Sequence, residues 1–330
     1  MKILVTGGAG YIGSITVKRL LESNIDVVVF DNLKYGHREA VSCKLVVGDL
    51  TNYQDIEKGL ENEKFDAVIH FAAYTLAGES MENPHKYFHN NIMGGLNLLK
   101  YMRLASISNI VFSSTCAIFG TPIKMPVSED LEKKPESVYG ESKLMFENIL
   151  SWYDKIYGIK HMNLRYFNAA GASLDGSLGE SHDSETHIIP LVIQTALKKR
   201  EKFTLFGDDY PTKDGTCIRD YIHVEDLATV HILALNKLRQ SNQSDSFNIG
   251  TGKGYTNKEV VDMVRKVSGV DFSVEISKRR FGDPSEIYAD NNKAKNKLGF
   301  EPKYSDLETI VKSAWEWHNR SSEFKVQSSK

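Results

Sequence analysis

Short apolar runs rich in Val, Ile and Phe alternate with longer stretches of mixed polarity through the first half of the chain. This is the rhythm of βαβ units, in which a helix carries the chain from one strand to the next strand of a parallel sheet. The pattern predicts strands over 2–6, 26–30, 44–47, 66–71, 109–113 and 161–166. The longest helical stretches fall at 84–104 and 138–157. Around residue 169 the alternation stops. Gly, Ser, Asp and His take over through 169–187, which marks a connection into a second, smaller unit. Residues 306–318 then read as an amphipathic helix, with Leu307, Ile310, Val311, Ala314 and Trp315 at helical spacing, and the polar stretch 320–330 is expected to fray. The pattern therefore divides the chain into 1–168, 169–320 with some segments returning to the first unit, and a polar tail over 321–330.

At 330 residues, core burial is not limiting. A formal net charge of -2 lacks the excess of Lys and Arg that binds phosphate backbones, so no nucleic-acid partner is expected. Cys43, Cys116 and Cys217 are odd in number, far apart and without C-x-x-C spacing, which fits a reducing compartment and disfavours a zinc site. The N-terminal apolar run is four residues long, too short for a signal-peptide core, and no segment is apolar for membrane length. The expectation is a cytoplasmic protein without a membrane partner.

The first strand runs into Thr6-Gly7-Gly8-Ala9-Gly10-Tyr11-Ile12-Gly13, with glycines at 7, 10 and 13 ahead of an amphipathic helix. Glycine at such a turn lets backbone N–H groups touch a pyrophosphate, and the helix N-terminus adds partial positive charge. An ordinary glycine-rich βα turn gives the same letters. Context favours the dinucleotide: the second strand ends at Asp31, where a carboxylate accepts from ribose hydroxyls and repels a 2′-phosphate. Asn32-Leu33 supplies no arginine to offset that repulsion, so NAD is preferred to NADP.

Tyr139-Gly140-Glu141-Ser142-Lys143 places a phenol and an ammonium four apart on a predicted helix, hence on one face. A nearby ammonium favours tyrosinate, which is expected to lower the Tyr139 pKa and make it a candidate general base. With 15 tyrosines in the chain, the spacing alone arises about once by chance, so position carries the weight. The pair follows Ser113-Ser114-Thr115, whose hydroxyls end a strand at the carboxyl edge of the sheet.

Taken in order, these motifs resemble the UDP-glucose 4-epimerases of the extended short-chain dehydrogenase/reductase superfamily. The resemblance includes His70-Phe71-Ala72-Ala73, Gly78-Glu79-Ser80, Asn90-Asn91 and Arg165-Tyr166-Phe167-Asn168. It continues through Phe206-Gly207, Asp209-Tyr210-Pro211-Thr212, Asp214-Gly215-Thr216, Ile218-Arg219-Asp220-Tyr221 and Arg279-Arg280-x-Gly282-Asp283. The fold it implies is α/β: a Rossmann-like doubly wound parallel sheet of seven strands with a smaller C-terminal substrate-binding domain, usually a homodimer.

The resemblance implies that Tyr11, Ile12, Asp31, Asn32, Asp49 and Leu50 contact NAD. It implies the same of Phe71, Ala72, Ala73, Asn90, Phe167, Tyr139 and Lys143. Asn168, His187, Ile188, Thr204 and Phe206 are assigned to the UDP portion, with Arg219, Arg280 and Asp283. The two arginines fall on the diphosphate, which guanidinium groups bind bidentately. The implied chemistry interconverts UDP-galactose and UDP-glucose: Tyr139 with Thr115 takes the proton of the sugar 4-hydroxyl as hydride passes to NAD⁺, the 4-keto sugar turns over, and hydride returns. Two positions depart from the family. Thr75 stands where many epimerases carry a lysine that helps hold the cofactor. Ile287, at the position that gates the sugar 2-substituent, is neither the small residue that admits N-acetyl sugars nor the Tyr that excludes them.

Other residues have plainer readings. His85 and His89 have helical spacing and His182 and His187 lie close in sequence, but neither pair shows a third ligand, so no metal is expected. Cys116 reads as a small buried thiol, and Lys198-Lys199-Arg200-Glu201-Lys202 as a solvated helix end. A 4,6-dehydratase needs a carboxylate pair after the Ser/Thr, and Thr115-Cys116-Ala117-Ile118 has none. A nucleotide-sugar decarboxylase or reductase, or a non-enzymatic NAD-binding regulator, stays open as an alternative.

Overall fold

The computed structural model describes residues 1–182, 185–280 and 283–327; Gly282 of the arginine motif and the end of the polar tail, 328–330, lie outside them. In chain order the first strands are β1 (Lys2–Thr6), β2 (Asp26–Asp31), β3 (Lys44–Val47), β4 (Ala67–His70), β5 (Asn109–Thr115) and β6 (Lys160–Tyr166). There follow β7 (Asn168–Ala170), β8 (Phe203–Phe206), β9 (Ile218–Arg219), β10 (Tyr221–His223) and β11 (Asp245–Ile249). The last are β12 (Tyr255–Thr256), β13 (Val274–Ser277) and β14 (Glu286–Ile287). The helices of the first half are α1 (Tyr11–Glu22), α2 (Tyr53–Leu60), α3 (Ala77–Glu82), α4 (Pro84–Phe88), α5 (Gly94–Leu104) and α6 (Val138–Tyr157). Those of the second are α7 (Ile188–Ala196), α8 (Val224–Ser241), α9 (Asn257–Ser268), α10 (Asn292–Leu298) and α11 (Leu307–Gln327).

The predicted strands are found within two residues at each end. A seven-stranded sheet in the order β11-β6-β5-β4-β1-β2-β3 is parallel throughout. Side chains alternate across it. Ile3 and Val5 of β1 pack with Val27 and Val29 of β2 against α1 and α8, while Leu4, Val28 and Phe30 pack on the other face against α2, α5 and α6. Each such fully buried aliphatic or aromatic side chain contributes roughly 1.5–3 kcal/mol. The chain order reverses between β1 and β4, and the crevice at the carboxyl ends of strands flanking such a switch is where doubly wound sheets bind ligands.

The seventh strand, β11, was not among the strands predicted from the pattern. Its sequence, DSFNI, offers only two large apolar residues, and it lies at the sheet edge beside β6 alone. The predicted helix over 84–104 is interrupted by one turn of π-helix at His89–Met93, between α4 and α5. The last helix extends past the predicted 318 to Gln327, because no Gly or Pro between 319 and 327 stops it. A third core joins α7, α9 and α11 to β8 and β10 through Ile193, Val261, Ile310, Leu205 and Tyr221. Among the described residues no helix is long and apolar enough to cross a membrane.

Candidate active site

The glycine loop lies at the carboxyl end of β1, on the switch-point crevice. Gly7 has φ +72°, and a Cβ there would meet the Ala72 backbone nitrogen at 2.5 Å. A Cβ on Gly13 would come to 2.2 Å from the Gly7 carbonyl oxygen. Both glycines are therefore compelled by the fold itself. Gly10 is different: a Cβ there meets nothing nearer than 3.4 Å, so what its missing side chain keeps open is the space in front of α1. That helix starts with no side-chain cap and no acidic residue in its first turn, leaving its N-terminal N–H groups and partial positive charge for an anion. Asp31, buried at the end of β2, accepts from the backbone N–H groups of Ala9 (3.0 Å) and Leu33 (2.8 Å); burial raises its pKa while these bonds oppose the rise. Next to it the Asn32 amide donates to Asp49 (3.0 Å), which also takes the Thr51 N–H and hydroxyl and precedes the buried Leu50. The predicted cofactor residues of the first three strands thus line one continuous rim, and the cradle fits a dinucleotide.

The remaining predicted cofactor residues gather at the ends of β4 and β5. Phe71 packs against His231 with the rings tilted 45° to each other, and the loop through Ala72 and Ala73 continues to Tyr74, whose N–H and carbonyl are both held by the Asn91 side chain (2.9 and 3.1 Å). Asn91 also reaches the Ser142 hydroxyl on α6 (2.9 Å), and Asn90 donates to it (3.0 Å). Both asparagines sit in the π-turn, which is how one helix presents neighbouring side chains to the loop and to α6. Thr75 is exposed, so it neither buries a hydroxyl nor replaces the charge of a lysine. The nearby ammonium groups of Lys34 and Lys86 lie 5.0 and 4.7 Å from the Tyr74 ring centre, and that of Lys86 is paired with Glu79.

α6 starts at Val138 because Ser137 caps it, accepting from Gly140 N–H at 3.1 Å, and because the buried Ser80 hydroxyl accepts from the Tyr139 N–H at 3.1 Å. This fixes Tyr139 over the end of β5. β5 itself runs to Thr115, two residues past the predicted end, whose hydroxyl accepts from the Ala117 N–H at 3.1 Å and lies beside the Tyr139 phenol. Lys143, one turn on, is buried and donates to the Ser113 carbonyl at 2.7 Å, with its ammonium 4.8 Å from the Phe112 ring centre.

The expected depression of the Tyr139 pKa is not what the structure shows. Burial raises it well above the ordinary phenol value, and the Thr115 hydroxyl beside it only partly offsets that. The Lys143 ammonium is spent on a backbone carbonyl, and burial brings its own pKa down to about 7, against the opposing pull of Glu147. Glu147, one further turn along, is locked in a buried bidentate pair with Arg165 (2.9 and 2.6 Å) and accepts from Ser114 at 2.6 Å. Arg165 and Ser114 were noticed as family letters, but Glu147 was missed. Its signal was the i, i+4 step from Lys143 on the same helix face.

The second half brings its anchors together around β8, β9 and β14. Thr204 and Phe206 share the half-exposed face of β8, and the Arg280 guanidinium stacks 4.0 Å from the Phe206 ring centre. Arg219 on β9 forms an ion pair with Asp283, and Ile287 lies opposite Arg219 in the register of β14. Ile287 is buried against a cluster that includes Phe167, Phe119 and Cys116, so it ties the second half to the cofactor side. Burial pushes the Cys116 thiol up to about 12, in keeping with an inert side chain. Asp220, fully buried, accepts from the N–H groups of Thr251, Gly252 and Ala289 and fixes the neighbouring loops; sequence reading had not given it this role.

A small cavity of about 50 Å³ is lined by Asn168, His187 and Ile188 together with Glu180 and Tyr221. At its rim the His182–His187 pair is not alone, contrary to the sequence expectation. Glu180 and Glu185 face both imidazoles, a contact invisible in sequence because no helix sets the spacing. Hydrogen bonds that its ring donates to Glu180 and Glu185 raise the His182 pKa to about 9; burial opposes the His187 imidazolium, but the two carboxylates outweigh it and bring its pKa up to about 10. A larger polar cleft of about 370 Å³, lined by Asp154, His161, Arg165 and Asp245, opens where β6 and β11 begin, at the sheet edge away from these groups.

Comparison with known proteins accords with this geometry. The NAD dependent epimerase/dehydratase family matches residues 3–250. The UDP-glucose 4-epimerase of Streptococcus mutans is 50% identical over 323 residues, 97% of each chain, and that of Lactobacillus helveticus 48% identical over 320 residues, 96% of this chain and 97% of its own. The crystal structure of the Brucella ovis UDP-glucose 4-epimerase in complex with NAD superposes with a TM-score of 0.93 at 44% identity, over 95% of this chain and 97% of that one. The chain belongs to the NAD dependent epimerase/dehydratase family.

Proposed function

We propose that this protein is an NAD-dependent UDP-glucose 4-epimerase that interconverts UDP-galactose and UDP-glucose. The observation that carries the reading is the Tyr139 phenol set beside the Thr115 hydroxyl at the end of β5, with Lys143 buried one turn away and the glycine cradle alongside. When bound, NAD supplies the hydride acceptor and donor that oxidation and re-reduction at C4 require. Gly7, Gly10, Gly13, Tyr11 and Ile12 hold its pyrophosphate end, Asp31, Asn32, Asp49 and Leu50 its adenosine, and Phe71 to Ala73, Asn90, Lys143 and Phe167 the rest. Tyr139 would accept the proton of the sugar 4-hydroxyl as tyrosinate, the form that the Thr115 hydroxyl and the positive charge of bound NAD⁺ would favour against the burial that otherwise keeps the phenol neutral, and would return it to the ketone oxygen. Lys143, fixed on the Ser113 carbonyl, places its amine beside that exchange and adds positive charge there whenever it is protonated.

Turnover of the sugar requires a nucleotide that stays while the hexose swings. Arg219 and Arg280 neutralise the diphosphate, and Phe206 and Thr204 offer a flat and a polar contact to the uridine, with Asn168, His187, Ile188 and Asp283 around them. Ile287 faces the sugar and sets the room for its 2-substituent, so UDP-N-acetyl sugars belong to the test. The reading includes the division into an NAD half over 1–168 and a sugar half mainly over 169–320, with β11 and α8 returning to the first. It places the protein in the cytosol, in keeping with three free cysteines. It also makes the protein a homodimer through α6, where the exposed Met145, Trp152 and Ile156 fall along one helix face; light scattering at twice the chain mass is the expected result.

The experiment is incubation of the purified protein with UDP-galactose, without added NAD or reductant, followed by NMR of the anomeric and C4 protons. UDP-glucose rising to a fixed ratio is the expected outcome. Conversion only after NAD is added would mean that Thr75 leaves the cofactor exchangeable. No conversion in either case overturns the epimerase reading in favour of another nucleotide-sugar enzyme or a non-catalytic regulator.

A further inference from the structure

One cluster of ligating side chains has three members, Glu180, His182 and Glu185, without a part in the chemistry above, and a fourth, His187, that reaches the nucleotide side. We infer that Glu180, His182, Glu185 and His187 form a binding site for a single divalent cation of the zinc type, which fastens the segment before α7 to the wall of the nucleotide-sugar pocket. The inference does not depend on which sugar is turned over.

The argument is geometric. One ligand atom from each of the four residues lies within 4.8 Å of all the others. Ligand atoms on a tetrahedral Zn²⁺, with bonds of about 2.0–2.1 Å, stand about 3.3 Å from one another. His182 Nδ1 is 3.3 Å from Glu180 Oε1 and 3.5 Å from Glu185 Oε2, and His187 Nδ1 is 3.3 Å from Glu185 Oε1. The His187 Nδ1–Glu180 Oε1 pair, at 2.6 Å, has to open by roughly 0.7 Å to reach that separation, and ligand atoms as much as 4.8 Å apart have to close around the ion. Both carboxylate side chains are buried and face each other, and the positive charge they need comes either from the two imidazoles as imidazolium or from one divalent cation bound to the neutral rings.

The surroundings hold the ligands as outer partners of a metal site do. Glu185 Oε1 accepts the N–H groups of Thr186 (2.7 Å) and His187 (2.8 Å), which orients Oε2 toward His182, and Trp317 Nε1 donates to the Glu180 carbonyl at 2.9 Å. Two imidazoles with two carboxylates suit Zn²⁺ better than Mg²⁺ or Ca²⁺, which take oxygen ligands almost exclusively. Four protein ligands close a tetrahedral shell, so the ion is structural, with no open position for hydrolytic chemistry. Its place explains what it holds: Glu180 and His187 both line the cavity they share with Asn168, and His187 immediately precedes α7.

The test uses the NAD-containing full chain, equilibrated with Zn²⁺, desalted, and measured by elemental mass spectrometry beside a His182→Ala/Glu185→Gln variant. About one zinc per wild-type chain, at least tenfold less in a variant whose circular dichroism is unchanged, is the result expected. Wild type without bound zinc overturns the proposal, and so does a variant that keeps it all, since the ion then sits elsewhere. Should the variant fail to fold, the wild type titrated with Co²⁺ decides: the intense visible bands of tetrahedral cobalt support the site, and the weak spectrum of the hydrated ion contradicts it.

Discussion

The two halves of the molecule hold their functional groups by different means. In the first, packing fixes everything: a Cβ on Gly7 or Gly13 would strike backbone, Lys143 is buried under α6, and Glu147 and Arg165 close a buried pair beneath it. In the second, anchors are held by ion pairs and stacking near the surface, with Arg219 on Asp283, Arg280 on Phe206, and two histidines on two glutamates. The contrast suits an enzyme that keeps one ligand and exchanges the other. A cofactor retained through turnover calls for a rigid cradle, whereas a sugar nucleotide that enters and leaves is served by charged groups that trade a protein partner for a phosphate.

That contrast predicts where damage falls. Tyr139→Phe removes the proton acceptor and should lower kcat by roughly 10²–10⁴-fold. NAD content by absorbance and unfolding in urea should stay near wild type; equal losses of cofactor would make Tyr139 a packing residue instead. Glu147→Ala leaves the Arg165 guanidinium buried without its partner and should cost about 3–5 kcal/mol of stability in urea denaturation. A change under 1 kcal/mol would mean that the first half is less dependent on its buried network than described.

Lys143 gives the pH dependence. Its folded pKa, about 7, lies below the unfolded value, so the unfolded chain binds more protons between roughly pH 7 and 10.5, and stability must rise with pH through that window. Relative to Lys143→Met, which carries no such charge, the wild type should gain on the order of 1–3 kcal/mol between pH 6.5 and 9. A flat difference would show that the ammonium is not penalised by burial. The smallest effect belongs to the second half: Arg219→Ala should raise KM for UDP-galactose about 10–100-fold, the worth of a charge-assisted hydrogen bond or two, with NAD content unchanged. Loss of NAD in that variant would erase the distinction between the halves.

Legibility in the sequence followed the same division. Six strands of the sheet were readable because each is an apolar run between turn residues, and the glycine spacing and Asp31 then fell at strand ends by necessity, with Tyr139-x-x-x-Lys143 on the helix that follows β5. β11 was not readable, because an edge strand reading DSFNI comes long after its neighbour β6 and carries little apolar signal. The π-turn that aims Asn90 and Asn91 has no sequence signature, and the Ser80 hydroxyl on the Tyr139 N–H is a contact 59 residues apart. The pairing of His182 and His187 with Glu180 and Glu185 depends on an irregular loop, where no period of 2 or 3.6 brings residues together. The pKa of Tyr139 went astray for a related reason: spacing put Lys143 on the right face, but only the fold shows its ammonium donating to Ser113.

The central claim is that hydride leaves C4 and returns to it within one retained complex, and UDP-galactose deuterated at C4 tests this most directly. The account predicts UDP-glucose that keeps its deuterium at C4, with no exchange into water and none transferred to a second, ¹³C-marked substrate in the same tube. Deuterium lost to solvent would mean that C4 is inverted by proton abstraction, and deuterium appearing on the marked substrate would mean that the reduced cofactor escapes between the two steps; either result contradicts it.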